Sequence, residues 1–284
     1  MKAFSAAVGP RLFLDETSVL DIGSCFVGAV DVAPGRAIPN DGDPRIDHSL
    51  EGFLFTCGPD HIRHPEPIPG RRDGKSYPLH GSFSSHPAEL LFWDVQDGGA
   101  ECRAKVQVDL ADGGRALLER HWRIDGASGE VCLADTVTNI GDKAFPVFHM
   151  YHMNIGAWLF DSEVRLNGQM LEEGGLLWNF GDEPGGVFCV PAAVDGAAWA
   201  EVCLGPIAAI GGVTLKVRFR TDTLPHLQIW RNQQAPAHVL GIEPVSHRWV
   251  SRTELADAGE LRSLAPGKSI DYALRFCFGE PALD

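Results

Sequence analysis

Apolar and polar residues alternate along much of the chain with a period of two, the pattern of strands that bury one face and wet the other. Lys105 to Leu110 puts Val106, Val108 and Leu110 on one side and Lys105, Gln107 and Asp109 on the other, then stops at Ala111-Asp112-Gly113-Gly114. Leu117 to Ile124 ends at Asp125-Gly126, and Val131 to Thr138 ends at Asn139-Ile140-Gly141-Asp142. Thr214 to Arg220 sets Leu215, Val217 and Phe219 against Lys216, Arg218 and Arg220. No long window keeps a 3.6-residue period between caps; Phe13 to Leu20 and Pro87 to Phe92 have room for a helical turn or two. Such a supply of short strands exceeds a seven-stranded immunoglobulin domain. The expectation is an all-β protein, a large antiparallel β-sandwich formed as one domain over residues 1–284.

Composition adds little to the fold and something to the function. The 32 glycines and 19 prolines are spread along the chain, so no linker divides it. A formal charge of −14 argues against nucleic acid and anionic membrane surfaces as partners. The seven cysteines (Cys25, Cys57, Cys102, Cys132, Cys189, Cys203 and Cys277) are odd in number, scattered, and never spaced Cys-x-x-Cys. They read as free thiols in a reducing cytosol. The first ten residues are too short and broken for a secretory segment, and no 18-residue apolar run offers a membrane span. The expected location is cytoplasmic.

Four polar clusters interrupt the apolar pattern. In Thr56-Cys57-Gly58-Pro59-Asp60-His61-Ile62-Arg63-His64, Arg63 has the fixed fork of donors that clamps hydroxyls, although a structural arginine in a solvated loop fits equally. His61 and His64 have metal-like spacing, but no helix puts them on one face, so no metal site is expected. In Tyr77-Pro78-Leu79-His80-Gly81, a tight turn would aim His80 inward, as a catalyst or as a core hydrogen-bonder.

If Pro146 to Gly156 is one strand, His152 and Asn154 share a face with Phe148 and Met150, while His149 points the other way. Burying His152 and Asn154 is unfavourable unless protein or ligand hydrogen-bonds them. In Pro225 to Arg231, Gln228 and Trp230 share a face, an amide beside an aromatic plane, which is a way to hold a sugar. Glu243 ends the apolar run Val239 to Ile242, where a carboxylate is costly unless paired or working.

In their order along the chain, these clusters resemble the aldose 1-epimerase (galactose mutarotase-like) superfamily, and most closely its DUF4432-type branch. Leu79-His80-Gly81, Tyr151-His152-Met153-Asn154, Pro225 through Arg231 and Gly241-Ile242-Glu243-Pro244 carry the resemblance, together with a closing Leu261 to Gly267 and the strand Ile270 to Phe278. The resemblance implies a β-supersandwich with a sugar on a concave sheet face. It also implies catalysis by His80, His152 and Glu243, with Arg63, Asn154, Gln228, Trp230 and Arg231 binding the substrate. The implied reaction is anomer exchange of a monosaccharide or sugar derivative by general acid/base catalysis, with no cofactor.

The sequence departs from the family pattern in three places. Asp60-His61-Ile62-Arg63 stands where an Asn-Arg pair is expected, and Ile229-Trp230-Arg231-Asn232 replaces an aromatic-Thr-Gly-Asn stretch. The family's aspartate has only Asp182 or Glu183 as candidates. A silent sugar-binding or sensing module on the same fold is the alternative. A glycosidase would need a second well-placed carboxylate.

Overall fold

The computed structural model describes residues 1–35, 52–84, 86–234 and 237–280. Two large antiparallel sheets dominate. Among the described residues each has nine strands. The first runs in the order Lys2–Phe4, Arg11–Asp15, Asp21–Val27, Leu54–Cys57, Met150–Gly156, Val239–Val245, His226–Asn232, Gly185–Pro191, with Val30–Asp31 attached to the third of these. The second contains Trp199–Ile207, Val213–Arg220, Ser269–Gly279, Val131–Asn139, Arg115–Asp125 and Gly99–Asp109 as its long central strands. The sequence-predicted alternation is the register observed: Leu215, Val217 and Phe219 are fully buried while Arg218 is exposed.

The core lies between the sheets. Tyr151, Met153, Ile155, Leu227, Ile229 and Ile242 of the first sheet pack with Leu118, Trp122, Leu133, Val217, Leu274 and Phe276 of the second. Because side chains alternate along a strand, burying this set in the core sends His152, Gln228, Trp230 and Glu243 to the opposite face of the first sheet.

One polar network crosses the core. Arg120, fully buried on the second sheet, donates from Nε and Nη2 to Asp135 at 2.9 and 2.7 Å. Its Nη1 reaches Asp21 Oδ1 and the Val19 carbonyl, each at 2.8 Å. Nη2 also reaches Thr56 Oγ1 at 2.6 Å, and the Tyr151 hydroxyl donates to Asp135 at 2.9 Å.

Three local expectations change. The segment Phe13 to Leu20 is strand as far as Asp15 and then a turn, and Pro87 to Phe92 runs into the edge strand Glu89–Gln96. That edge strand is wet on both faces, with Leu91, Phe92 and Val95 exposed, so it has no alternation to read. Pro146 to Gly156 is not one strand. Phe145–Pro146 pairs with Ser263–Leu264, and regular pairing in the first sheet resumes only at Met150. The α-helix Arg252–Asp257 is the only one among the described residues. No helix there is long and apolar enough to cross a membrane.

Candidate functional site

The strand pairings bring the distant clusters together. His152 and Phe55 are cross-strand partners, as are Gln228 and Glu243, and Trp230 and Gly241; Asn154 also faces Gly241. His152 Nε2 lies 3.1 Å from Glu243 Oε1. The Gln228 amide donates to the other carboxylate oxygen, Oε2. Gly241 is required by close approach. A Cβ there would stand 2.6 Å from Glu243 Oε1 and 3.3 Å from both His152 and Trp230. The missing side chain is the space in which the three site residues meet.

His80 arrives on a loop instead of a strand. The loop crosses Gly58-Pro59-Asp60-His61 so tightly that a Cβ at Gly81 would lie 2.1 Å from the His61 carbonyl oxygen, and Gly81 has φ +86°. His80 itself is held at φ 59°, a region costly for a non-glycine residue. Its amide donates to the Arg63 carbonyl at 2.8 Å, its carbonyl accepts from Gly58 at 2.9 Å, and its Nδ1 meets the Ile62 carbonyl at 3.0 Å. These bonds fix Nδ1–H as donor, which leaves Nε2 as the free nitrogen. The His80 ring centroid is 5.3 Å from that of His152, with Phe55 against both at 5.4 and 4.5 Å.

The three residues line one cleft of about 670 Å³, together with Arg63, Gln228, Trp230 and Trp249. That volume suits a small polar ring compound. Trp230 is half-buried, with its ring 5.6 Å from His152. Burial pushes the Glu243 carboxyl up to about 8, opposed only by the Gln228 hydrogen bond. Burial, and then the nearness of His80, hold His152 well below the usual histidine range, while the Asn154 amide works the other way. Burial also lowers His80 to about 4. At neutral pH the Glu243–His152 pair therefore shares one proton, resting on the carboxyl and 3.1 Å from the imidazole. Buried atoms here lack partners: Glu243 Oε1, His152 Nδ1, Asn154 Oδ1 and Arg63 Nε have no aligned hydrogen bond within the protein.

The remaining sequence candidates divide. Arg63 is in the cleft wall, with Nη2 donating to the Arg248 carbonyl and its guanidinium 5.2 Å from the Trp249 ring. Asn154 shares the His152 face but is fully buried, donating to the Gly52 carbonyl at 3.2 Å, and it does not line the cleft. Arg231 borders the cleft, but its guanidinium is committed to the carbonyls of Phe180 (2.5 Å) and Gly181 (3.3 Å) and to Gln233 (2.8 Å). Asp182 and Glu183 are exposed and outside the lining, where Glu243 is the single carboxylate among the described residues. His61 spends Nε2 on the His64 carbonyl at 2.7 Å. Trp249 was not singled out by the sequence. It follows the strand Val239–Val245 in a loop with no periodicity, and only its place against Arg63 reveals it.

Two large antiparallel sheets with a cleft on one outer face form the galactose mutarotase-like fold, and solved structures match it along almost the whole chain. A Klebsiella pneumoniae protein provisionally called an aldose 1-epimerase superposes with a TM-score of 0.77 at 19% identity, covering 96% of this chain and 78% of its own. A galactose mutarotase-like protein from Clostridium acetobutylicum gives 0.66 at 12% identity, covering 98% and 95%. The GalM/aldose epimerase homologue of C. elegans gives 0.60 at 11%, covering 98% of each. No curated protein matches the chain. The family model DUF4432, a domain of unknown function, matches residues 21–174 and 181–277, and the chain belongs to that family.

Proposed function

We propose that the protein is a carbohydrate isomerase that exchanges the anomers of a monosaccharide or sugar derivative, an aldose 1-epimerase acting in the cytoplasm as a single domain. The observation that carries the reading is the convergence of His80, His152 and Glu243, far apart in sequence, on one cleft with His152 and Glu243 in contact. Anomer exchange opens a hemiacetal and closes it on the other face. A base removes the proton of the C1 hydroxyl while an acid protonates the ring oxygen. The pair holds the one proton this needs. Once it shifts to His152, Glu243 is the base and His152 the acid. C1–O5 cleavage yields the open aldehyde, and reversal after rotation about C1–C2 restores both groups.

Gln228 keeps Glu243 aimed through Oε2. His80 accepts from a neighbouring hydroxyl through Nε2, and Arg63 donates to oxygens of a ring substituent. Trp230 offers its face to the apolar side of the ring. Asn154 lies buried beside His152, and Arg231 braces the cleft wall at Phe180 and Gly181.

The test is a set of freshly dissolved single-anomer sugars followed by NMR or polarimetry. Exchange above the buffer rate is expected for at least one sugar, and lost in Glu243→Gln. Binding without faster exchange would leave a sensing module in place of the enzyme.

A further inference from the structure

The cleft carries the opposite charge to the molecule. The chain has 38 acidic residues against 24 basic ones, and several of its surface arginines are matched by carboxylates: Arg71 by Asp73, Arg103 by Glu101, Arg220 by Asp222, Arg248 by Glu260. The two arginines of the cleft are different. Arg63 donates to a backbone carbonyl and stacks on Trp249, and its Nε is buried with no partner. Arg231 is 1% exposed and bonds two backbone carbonyls and an amide. Carbonyls satisfy donors but do not neutralise a charge. Neither arginine forms an ion pair among the described residues.

The cleft's carboxylate, Glu243, holds a proton at neutral pH and offers no compensation. Burying a guanidinium without a contacting counter-charge is expensive, and burial lowers the basicity of both arginines, opposed at Arg63 by the attraction of Glu66 and Glu254, neither of which reaches it as an ion pair. Two arginines on one cleft with no ion-pair contact among the described residues, one of them with Nε unpartnered, leave a place for a counter-charge that arrives from outside.

We infer that the cleft takes a sugar bearing an anionic group, a carboxylate or a phosphate, with that group on Arg63 and the anomeric carbon at the Glu243–His152 pair. The inference rests on the isomerase reading for the second half of this placement only. Cys189 indicates how the two ends relate. It is the cross-strand partner of Gln228, which bonds Glu243, and its thiol lies within reach of the charges of both Arg63 and Glu243. Anion and anomeric centre are thus separated by a short stretch of the same sheet face, with Trp230 beside it. Arg63 has the geometry for the task, since a guanidinium with Nε free can meet two oxygens of a carboxylate or phosphate side by side. Trp249 holds it in place by stacking.

Calorimetry on the intact protein tests this with glucuronate and galacturonate, glucose 6-phosphate and galactose 6-phosphate, and the two neutral parent hexoses. At least one anionic sugar should bind about tenfold or more tightly than its neutral parent, the scale of one charge-assisted bidentate contact. The preference should weaken as salt is raised. The uronate and phosphate arms separate the two anionic groups.

Arg63→Gln should bring the anionic-to-neutral ratio close to one. Arg63→Lys keeps the charge without the fork and should retain part of the ratio, which separates charge from folding. Equal affinity for anionic and neutral sugars would overturn the inference. So would a ratio that survives in Arg63→Gln, or no binding of any anionic sugar at millimolar concentration. An anion preference with anomer exchange at the buffer rate leaves this inference standing and sinks the isomerase reading. Fast exchange of neutral sugars with no anion preference does the reverse.

Discussion

The strands Leu54–Cys57 and Met150–Gly156 carry two buried polar clusters, one on each face. On the core face, Thr56 and Tyr151 join Arg120, Asp21 and Asp135 in a network whose donors and acceptors are matched at 2.6–2.9 Å. On the cleft face, one residue along each strand, Phe55 packs under His152, and His152, Glu243 and Arg63 all have unpartnered atoms. Both clusters are buried and both rest on the same backbone. The first is closed and the second is open, and openness toward a cleft separates a structural cluster from a working one. Unpaired atoms alone do not suffice. His149 has neither ring nitrogen bonded, yet it is sealed in the core, stacked 3.8 Å from Tyr272.

The largest effect expected from this contrast is on stability. Arg120→Met strands Asp21 and Asp135 without their cation and should lower the unfolding free energy by about 3–5 kcal/mol, the usual cost of removing one partner from a buried ion pair. Denaturant titration measures it. The Arg120 charge is held by burial-opposing forces, the attraction and hydrogen bonds of Asp135 and then Asp21, and without it Asp21, already raised to about 6 by burial, would move further up. Little change in stability would show that the network is not what fastens the sheets.

Glu243→Gln should do the opposite. The fold should be retained, since the amide keeps the shape and a hydrogen bond to Gln228, while anomer exchange falls by about 10²–10⁴, the worth of a positioned general base. If Glu243→Gln unfolds the protein as Arg120→Met does, the two clusters are alike and the contrast is wrong.

How far the sequence revealed each cluster follows from the same contrast. Glu243 and His152 stand out because each interrupts an apolar strand on a definite face, and strand parity carries over into the structure. The sheet order that joins them depends on long-range pairing, which no local pattern encodes; the family resemblance, not the spacing, supplied it. Asn154 has the correct parity but is fully buried opposite Gly241, where parity gives a face but no depth. Arg231 lies in the cleft lining, yet its guanidinium is spent on the Phe180–Gly181 loop, which no pattern in the sequence places beside it. The Arg120 network was invisible: Arg120 lies at an inward position of an alternating strand, and its tolerance there depends on Asp135 across the next strand and on Asp21 and Thr56 of the other sheet, pairings no local pattern encodes.

A smaller effect belongs to the wall that touches no proton. Trp230→Ala should weaken binding of a sugar ligand by about 1–3 kcal/mol, in the range of losing one well-packed aromatic contact. The exchange rate at saturating sugar should change much less. Calorimetry and saturation kinetics separate the two. An unchanged affinity would remove the indole from the site and leave the open cluster without its apolar face.

The smallest effect is set by the proton that the open cluster shares. With one proton on the Glu243–His152 pair, the productive form exists between the loss of that proton and the gain of a second. Gaining a second proton titrates His152, which burial and His80 hold below the ordinary histidine range; the base is then blocked. Losing the first titrates Glu243 at about 8 and removes the acid. The rate constant kcat/KM should therefore be level near neutrality and fall about tenfold per unit above pH 8, a limb that belongs to the pair and not to either residue.

Stability must carry the same signature. A carboxyl raised from 4.5 to about 8 on folding lends stability that is complete below pH 4.5 and is lost as the pH climbs to 8. His80, lowered from 6.5 to about 4, lends stability above pH 6.5 that is lost as the pH falls through 4. Glu243→Gln abolishes the first loss and leaves the second. The melting temperature of the variant should thus overtake that of the wild type as pH rises from 5 to 8, while the two share the acid-side decline. If wild type and Glu243→Gln keep a constant separation from pH 5 to 9, Glu243 ionises as an ordinary carboxylate and the cleft is wetter than its geometry implies.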